Sequence, residues 1–113
     1  MLVPPLTADQ RLQQMQENLD NSQRAFEERS DSASAGEKIA LRKHWENADT
    51  DLTNAIADGL AKNSDALDDA VVDLEAANKK AKKALDDLKT VVEILGKLEQ
   101  AAVIAGKVLA AAA

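Results

Sequence analysis

The chain has no cysteine and no tyrosine, and in 113 residues it carries one phenylalanine (Phe26), one tryptophan (Trp45) and one histidine (His44). Without cysteine there can be no disulfide, no thiolate nucleophile and no zinc site built on thiolates. A sheet protein leans on aromatic and β-branched residues in alternation, and that pattern is missing. Proline occurs only as Pro4 and Pro5, so nothing downstream interrupts a helix by ring geometry. Positive charge is in the minority, with 14 Lys and Arg against 20 Asp and Glu, a net charge of −6. That balance argues against nucleic acid, whose phosphates would repel the chain. Residues 1–6 have neither a basic stretch nor an apolar core, so no cleavable signal peptide is expected. Nor is a transmembrane span, because the most apolar stretch, 91–113, contains Glu93, Lys97, Glu99 and Lys107. The expected location is the cytoplasm, or outside it by export without a cleavable leader.

What remains is dominated by helix formers: Ala, Leu, Asp, Lys, Glu and Gln. The length fits one all-helical domain over 1–113. Pro4 and Pro5 make residues 1–6 an extended lead-in. Thr7 followed by Gln10 is a capping-box signature and starts a helix over 7–30. Its seam is read from Leu12, Leu19, Phe26 and Ala33 with Ala8, Met15, Ser22 and Arg29. The Ser-rich run 30–36 breaks it, and Ser34 with Glu37 caps a second helix over 35–62. That helix carries Leu41, Trp45, Ala48, Leu52, Ala55 and Gly59, widened by Ile56 and Leu60. Gly59 on this stripe marks a close approach of a facing backbone. Residues 62–65 read as a turn, although an unbroken seven-residue phase from Leu60 to Leu95 also permits a continuous helix.

The third helix is expected over 64–113, with Leu67, Val71, Leu74, Asn78, Ala81, Leu85, Leu88, Val92 and Leu95 in 3–4 alternation. A three-residue skip follows, with Gly96 at the slip, so a bend or split is expected near Gly96. The fold expected is all-α: an antiparallel three-helix bundle, or a helical hairpin with a long C-terminal helix, packed in coiled-coil fashion. A helix over 65–113 would span about 70 Å, and partners of about 40 Å could not cover it. Either it folds back or its end projects.

No catalytic constellation emerges. His44 lies among Arg42, Lys43 and Glu46, with Leu41 rather than a glutamate three residues before it, so the Glu-x-x-His motif of helical di-metal sites is absent. The acidic clusters match no calcium loop. No catalytic, metal or cofactor residues are assigned, and the protein is not expected to be an enzyme. Lys79, Lys80, Lys82 and Lys83 form a candidate basic patch, with Glu75 placed to pair with Lys79. Asn78 occupies a seam position, where a polar residue either fixes register against a polar partner or reaches water. The candidate interaction surface is Leu98, Ala102, Ala105, Gly106, Leu109 and Ala110 on a helix apolar nearly all round, with a small-residue row at Ala102, Gly106 and Ala110. The expected function is a non-catalytic helical protein–protein interaction or assembly protein, with a protein partner or a second copy on that surface. The alternative is a soluble protein that opens to insert residues 91–113 into a membrane.

Overall fold

The computed structural model describes residues 5–113, so most of the expected lead-in over 1–6 lies outside the described residues. Helix α1 (Ala8–Arg29) starts where the capping box places it. Thr7 Oγ1 accepts from the Gln10 amide at 3.1 Å, and Gln10 Oε1 accepts from the Thr7 amide at 2.9 Å. A single 3-10 turn over Ser30–Ser32 follows. The same reciprocal pair, Ser34 with Glu37, opens α2 (Ala35–Asp58). Each such cap is worth about 1 kcal/mol.

Helix α2 ends at Asp58, short of the expected residue 62. Gly59 is its C-cap, at φ 86, a left-handed conformation that glycine adopts without a Cβ clash. It marks no close approach, because no atom lies within 4 Å of where its Cβ would stand. Ser64 Oγ then accepts from the Leu67 amide and caps α3 (Asp65–Asp86).

The expected long helix over 64–113 does not form. Helix α3 stops at Asp86, and α4 (Val91–Ala112) begins after a turn. The Lys89 amide donates to the Ala84 carbonyl at 3.0 Å and the Leu88 amide to Leu85 at 3.2 Å, with Leu88 at φ 54. This is a Schellman ending with leucine where glycine is usual. Thr90 Oγ1 caps α4 by accepting from the Glu93 amide. No break occurs at Gly96, which lies inside α4 with nothing packed against it. The expected seam therefore holds only through Leu85, and Leu88 and Val92 are 74% and 69% exposed. Helix α4 buries its own row instead: Val91, Ile94, Leu98, Ala101, Ala105, Val108 and Ala112, alternating steps of three and four. Folding back solves the length problem, since two 22-residue helices of about 33 Å each cover one another.

Among the described residues there are thus four α-helices rather than three. The most extensive packing is between the sequence neighbours α1 and α2 and between α3 and α4, and α2 also meets α4 while α1 meets α3. Arg11 reaches Asp68 and Arg24 reaches Asp86, so α1 and α3 run in the same direction. The interior divides into two apolar layers. One contains Met15, Ala55, Leu60, Leu67, Val71 and Leu74, and the other contains Ala25, Leu41, Leu85, Ile94 and Leu98. The two aromatics stack obliquely, with ring centroids 5.3 Å apart, and both are half-buried.

The face that α1 buries is polar. Arg11, Asn18, Asn21 and Ser22 are buried with Met15 and Ala25, while Leu12, Leu19 and Phe26 are only half-buried. Arg11 donates from Nε to Asp68 Oδ1 at 3.0 Å and from Nη1 to the Leu60 carbonyl at 2.6 Å. It thereby holds the loop between α2 and α3, where Leu60 is fully buried at φ 47.

Candidate functional site

Two of the six residues of the expected interaction surface are interior. Leu98 is 1% exposed and Ala105 is fully buried, both on the core row of α4. Ala102 and Leu109 are half-buried, and only Gly106 and Ala110 are exposed. The sequence row mixed two faces because α4 is apolar on both. The exposed row is Val92, Gly96, Glu99, Val103, Gly106 and Ala110, again in steps of four and three.

The four lysines of the expected basic patch are all exposed, but they face two sides. Lys79, 3.2 Å from Glu75 as expected, lines a cleft of about 450 Å³ between α1 and α3 together with Lys82, Arg24, Glu17 and Asp20. Arg24 pairs there with Glu28 at 2.6 Å and Asp86 at 2.7 Å. Lys80 and Lys83 instead line a hollow of about 290 Å³ between α3 and α4, joined by Lys89 and Lys97. Those last two were not legible as members of the patch, because only the fold-back at Asp87–Thr90 brings them beside Lys80.

Asn78 is 2% exposed and meets a polar partner within the chain. Its Nδ2 donates to the Gln14 carbonyl at 2.9 Å and to Gln14 Oε1 at 3.1 Å, while Asn21 Nδ2 donates to the Asn78 carbonyl at 3.1 Å. These bonds fix the register of α1 against α3, because a one-residue slip would leave buried amide groups unpaired.

His44 sits between α2 and α4 beside Lys43, Asn47 and Glu99. Burial pushes its pKa below 6.5, and Glu99 at 3.6 Å, itself 67% exposed, offsets only part of that. Burial likewise raises the Asp51 carboxyl above its ordinary 3.8. In the unfolded chain His44 takes up its proton near pH 6.5, whereas in the fold it resists until lower pH. The unfolded state binds more protons in that interval, so stability falls as pH drops through about 6.5. Asp51 has the opposite sign: what its protonated form contributes is lost as pH rises above 3.8. Replacing His44 by glutamine is expected to flatten the decline in urea midpoint between about pH 7 and about pH 5; an unchanged slope would remove His44 as its source.

Among the described residues, no group of three or more Asp, Glu or His side chains is arranged to hold a metal ion. No family model, no curated protein and no solved structure matches the chain.

Proposed function

We propose that the protein is a non-catalytic helical interaction or assembly protein, and that the outer face of α4 meets a helix of a protein partner or of a second copy. The observation that carries this reading is the exposed row Val92, Gly96, Val103, Gly106 and Ala110, interrupted by Glu99 and flanked by Gln100 and Lys107. A solvated helix face ordinarily carries polar side chains. Here Val103 is 53% exposed between two glycines whose Cβ positions are unobstructed, so a partner backbone can approach closely.

The alternative, insertion of residues 91–113 into a bilayer, would require opening the bundle. Val91, Ile94, Leu98 and Val108 already fill its interior, and among the described residues no helix is long and apolar enough to cross a membrane.

Light scattering with small-angle X-ray scattering tests the assembly reading. The wild type is expected to form a dimer or larger assembly, or to capture a partner. Val103→Asp is expected to abolish that association while leaving the far-UV circular dichroism and melting curve unchanged. A wild type that stays a compact monomer and captures nothing, or association that survives Val103→Asp, would overturn it.

A further inference from the structure

Among the described residues two non-glycine residues adopt left-handed backbone, Leu60 at φ 47 and Leu88 at φ 54. That conformation sets Cβ against the neighbouring carbonyl and is unfavourable for leucine. At Leu60 the fold offsets it, because the side chain is completely buried and Arg11 binds the carbonyl. At Leu88 only the two backbone bonds of the Schellman turn do, and the side chain contributes no packing, being 74% exposed at the tip of the α3–α4 turn. Val92, one helical turn further on, is 69% exposed.

The surroundings of this apolar tip are basic. Four lysines, Lys80, Lys83, Lys89 and Lys97, stand against Asp87 and Glu93 there, a local charge of +2 in a chain of −6. These four line one hollow beside the turn. Two carboxylates near the turn are engaged, Asp86 with Arg24 and Asp87 with Lys83 at 3.1 Å. Glu93 in the hollow and Glu37 on the other side of the tip remain as the nearby acids, while Lys80, Lys89 and Lys97 make no ion pair among the described residues. The acidic cluster Asp65–Asp73 lies at the opposite end of α3, about 20–35 Å away along the helix. At physiological ionic strength the screening length is about 8 Å, so that cluster does not cancel the lysines.

We propose that the α3–α4 turn is a contact site for an anionic phospholipid surface. Leu88 enters the boundary between headgroups and acyl chains, Val92 rests above it, and Lys80, Lys89 and Lys97 meet the lipid phosphates. The bundle stays closed, so the contact is peripheral and needs no opening of α4. Apolar burial and attraction to anionic headgroups act together in such binding, and long lysine stems let their charges stay at headgroup level while the turn dips lower. The site borders the outer face of α4 at Val92 but is centred on Leu88, and its test is read at Leu88, Lys89 and Lys97 rather than at Val103.

Flotation of the full chain with vesicles tests it. The protein is expected to bind phosphatidylcholine vesicles containing phosphatidylglycerol, to leave pure phosphatidylcholine unbound, and to lose binding as salt is raised. Leu88→Gly places glycine at the Schellman position, so the melting temperature is expected to rise by a few degrees while vesicle binding weakens roughly tenfold or more. Each of Lys89→Gln and Lys97→Gln is expected to weaken binding roughly fivefold, with the fold intact. Absence of binding to the anionic vesicles, or binding indifferent to Leu88→Gly, would overturn the proposal. So would binding abolished by millimolar inorganic phosphate at constant ionic strength, which would assign the hollow to free phosphate. Equal affinity for a soluble poly-glutamate chain, blind to Leu88→Gly, would assign the lysines to an acidic protein segment and also overturn it.

Discussion

Arg11→Ala is expected to destabilise the protein by about 3–5 kcal/mol, the largest effect of any single change on α1. The guanidinium is 1% exposed, yet it serves three parts of the chain at once. It bonds the Leu60 carbonyl in the loop after α2 and the Asp68 carboxylate on α3, whose other oxygen accepts from the Leu6 amide at 3.3 Å. Alanine would leave a void against Leu60 and strip both acceptors of their donor. Removing one member of a buried pair is costly because the remaining group keeps its desolvation without its partner. Arg11→Met separates packing from pairing: it refills much of the volume, and Asp68, 19% exposed, can turn toward water. The expected order of urea midpoints is wild type, then Met, then Ala. A methionine variant as stable as the wild type would show that Arg11 contributes volume alone, and an alanine variant within about 1 kcal/mol would remove the clamp altogether.

Leu98→Asp is expected to unfold the protein. Leu98 is 1% exposed in the apolar layer with Ala25, Leu41, Leu85 and Ile94, and among the described residues the one buried cation, Arg11, binds Leu60 in the other layer. An unpaired carboxylate there would be forced to take up a proton or to open the layer, on top of the cavity left by the leucine. The total is of the same size as the whole stability of a domain, about 5–15 kcal/mol. Thermal denaturation should show no cooperative transition near neutral pH, whereas Leu98→Ala should fold with a loss of about 2–5 kcal/mol. If Leu98→Asp folded normally, Leu98 would belong to the surface after all. Any assembly lost in this variant would report unfolding, which is why Val103, on the outer face, is the position that tests the interface.

Local chemistry was the most legible part of this sequence. Thr7 with Gln10 and Ser34 with Glu37 both form the reciprocal caps that their spacing implies, and Ser64 caps α3. A cap is a matter of four consecutive residues, so it is written in the chain. The ending of α3 was harder to read. Thr90 and Glu93 stand at capping-box spacing before an apolar run, but Leu88, Val92 and Leu95 continue the phase of Leu67–Leu85 and mask the signal. In the structure Glu93 contributes its amide to Thr90 Oγ1, and the helix restarts in a new register. Leucine in a left-handed turn carries no sequence mark, because glycine or asparagine is the residue such a turn announces itself with.

The residues of the candidate surface divide between two faces of α4 for a related reason. Periodicity finds an apolar row but cannot rank two rows on one helix, and α4 has an inner row through Leu98 and Ala105 and an outer one through Val103 and Gly106. On α1 the error runs the other way. Leu12 and Leu19 outrank Arg11 and Asn21 on any hydrophobic scale, yet the polar pair is buried because α3 supplies Asp68 to Arg11 and the Asn78 carbonyl to Asn21. Burial of a polar group depends on a partner some 57 residues away, and no local pattern carries that information.

The polar ties between α1 and α3 also bear on the order in which the molecule assembles. They join residues 57 to 64 positions apart, whereas α1 with α2 and α3 with α4 are each hairpins closed by a few residues. Short loops close with little entropy loss, so each hairpin forms ahead of the contacts between them. The Arg11 clamp and the Asn78–Gln14 bonds are then expected to form last, on docking of the two halves. Interactions absent from the transition state leave the folding rate alone and slow unfolding. These buried polar groups therefore act as a latch, setting how long the docked halves stay together more than how quickly they meet.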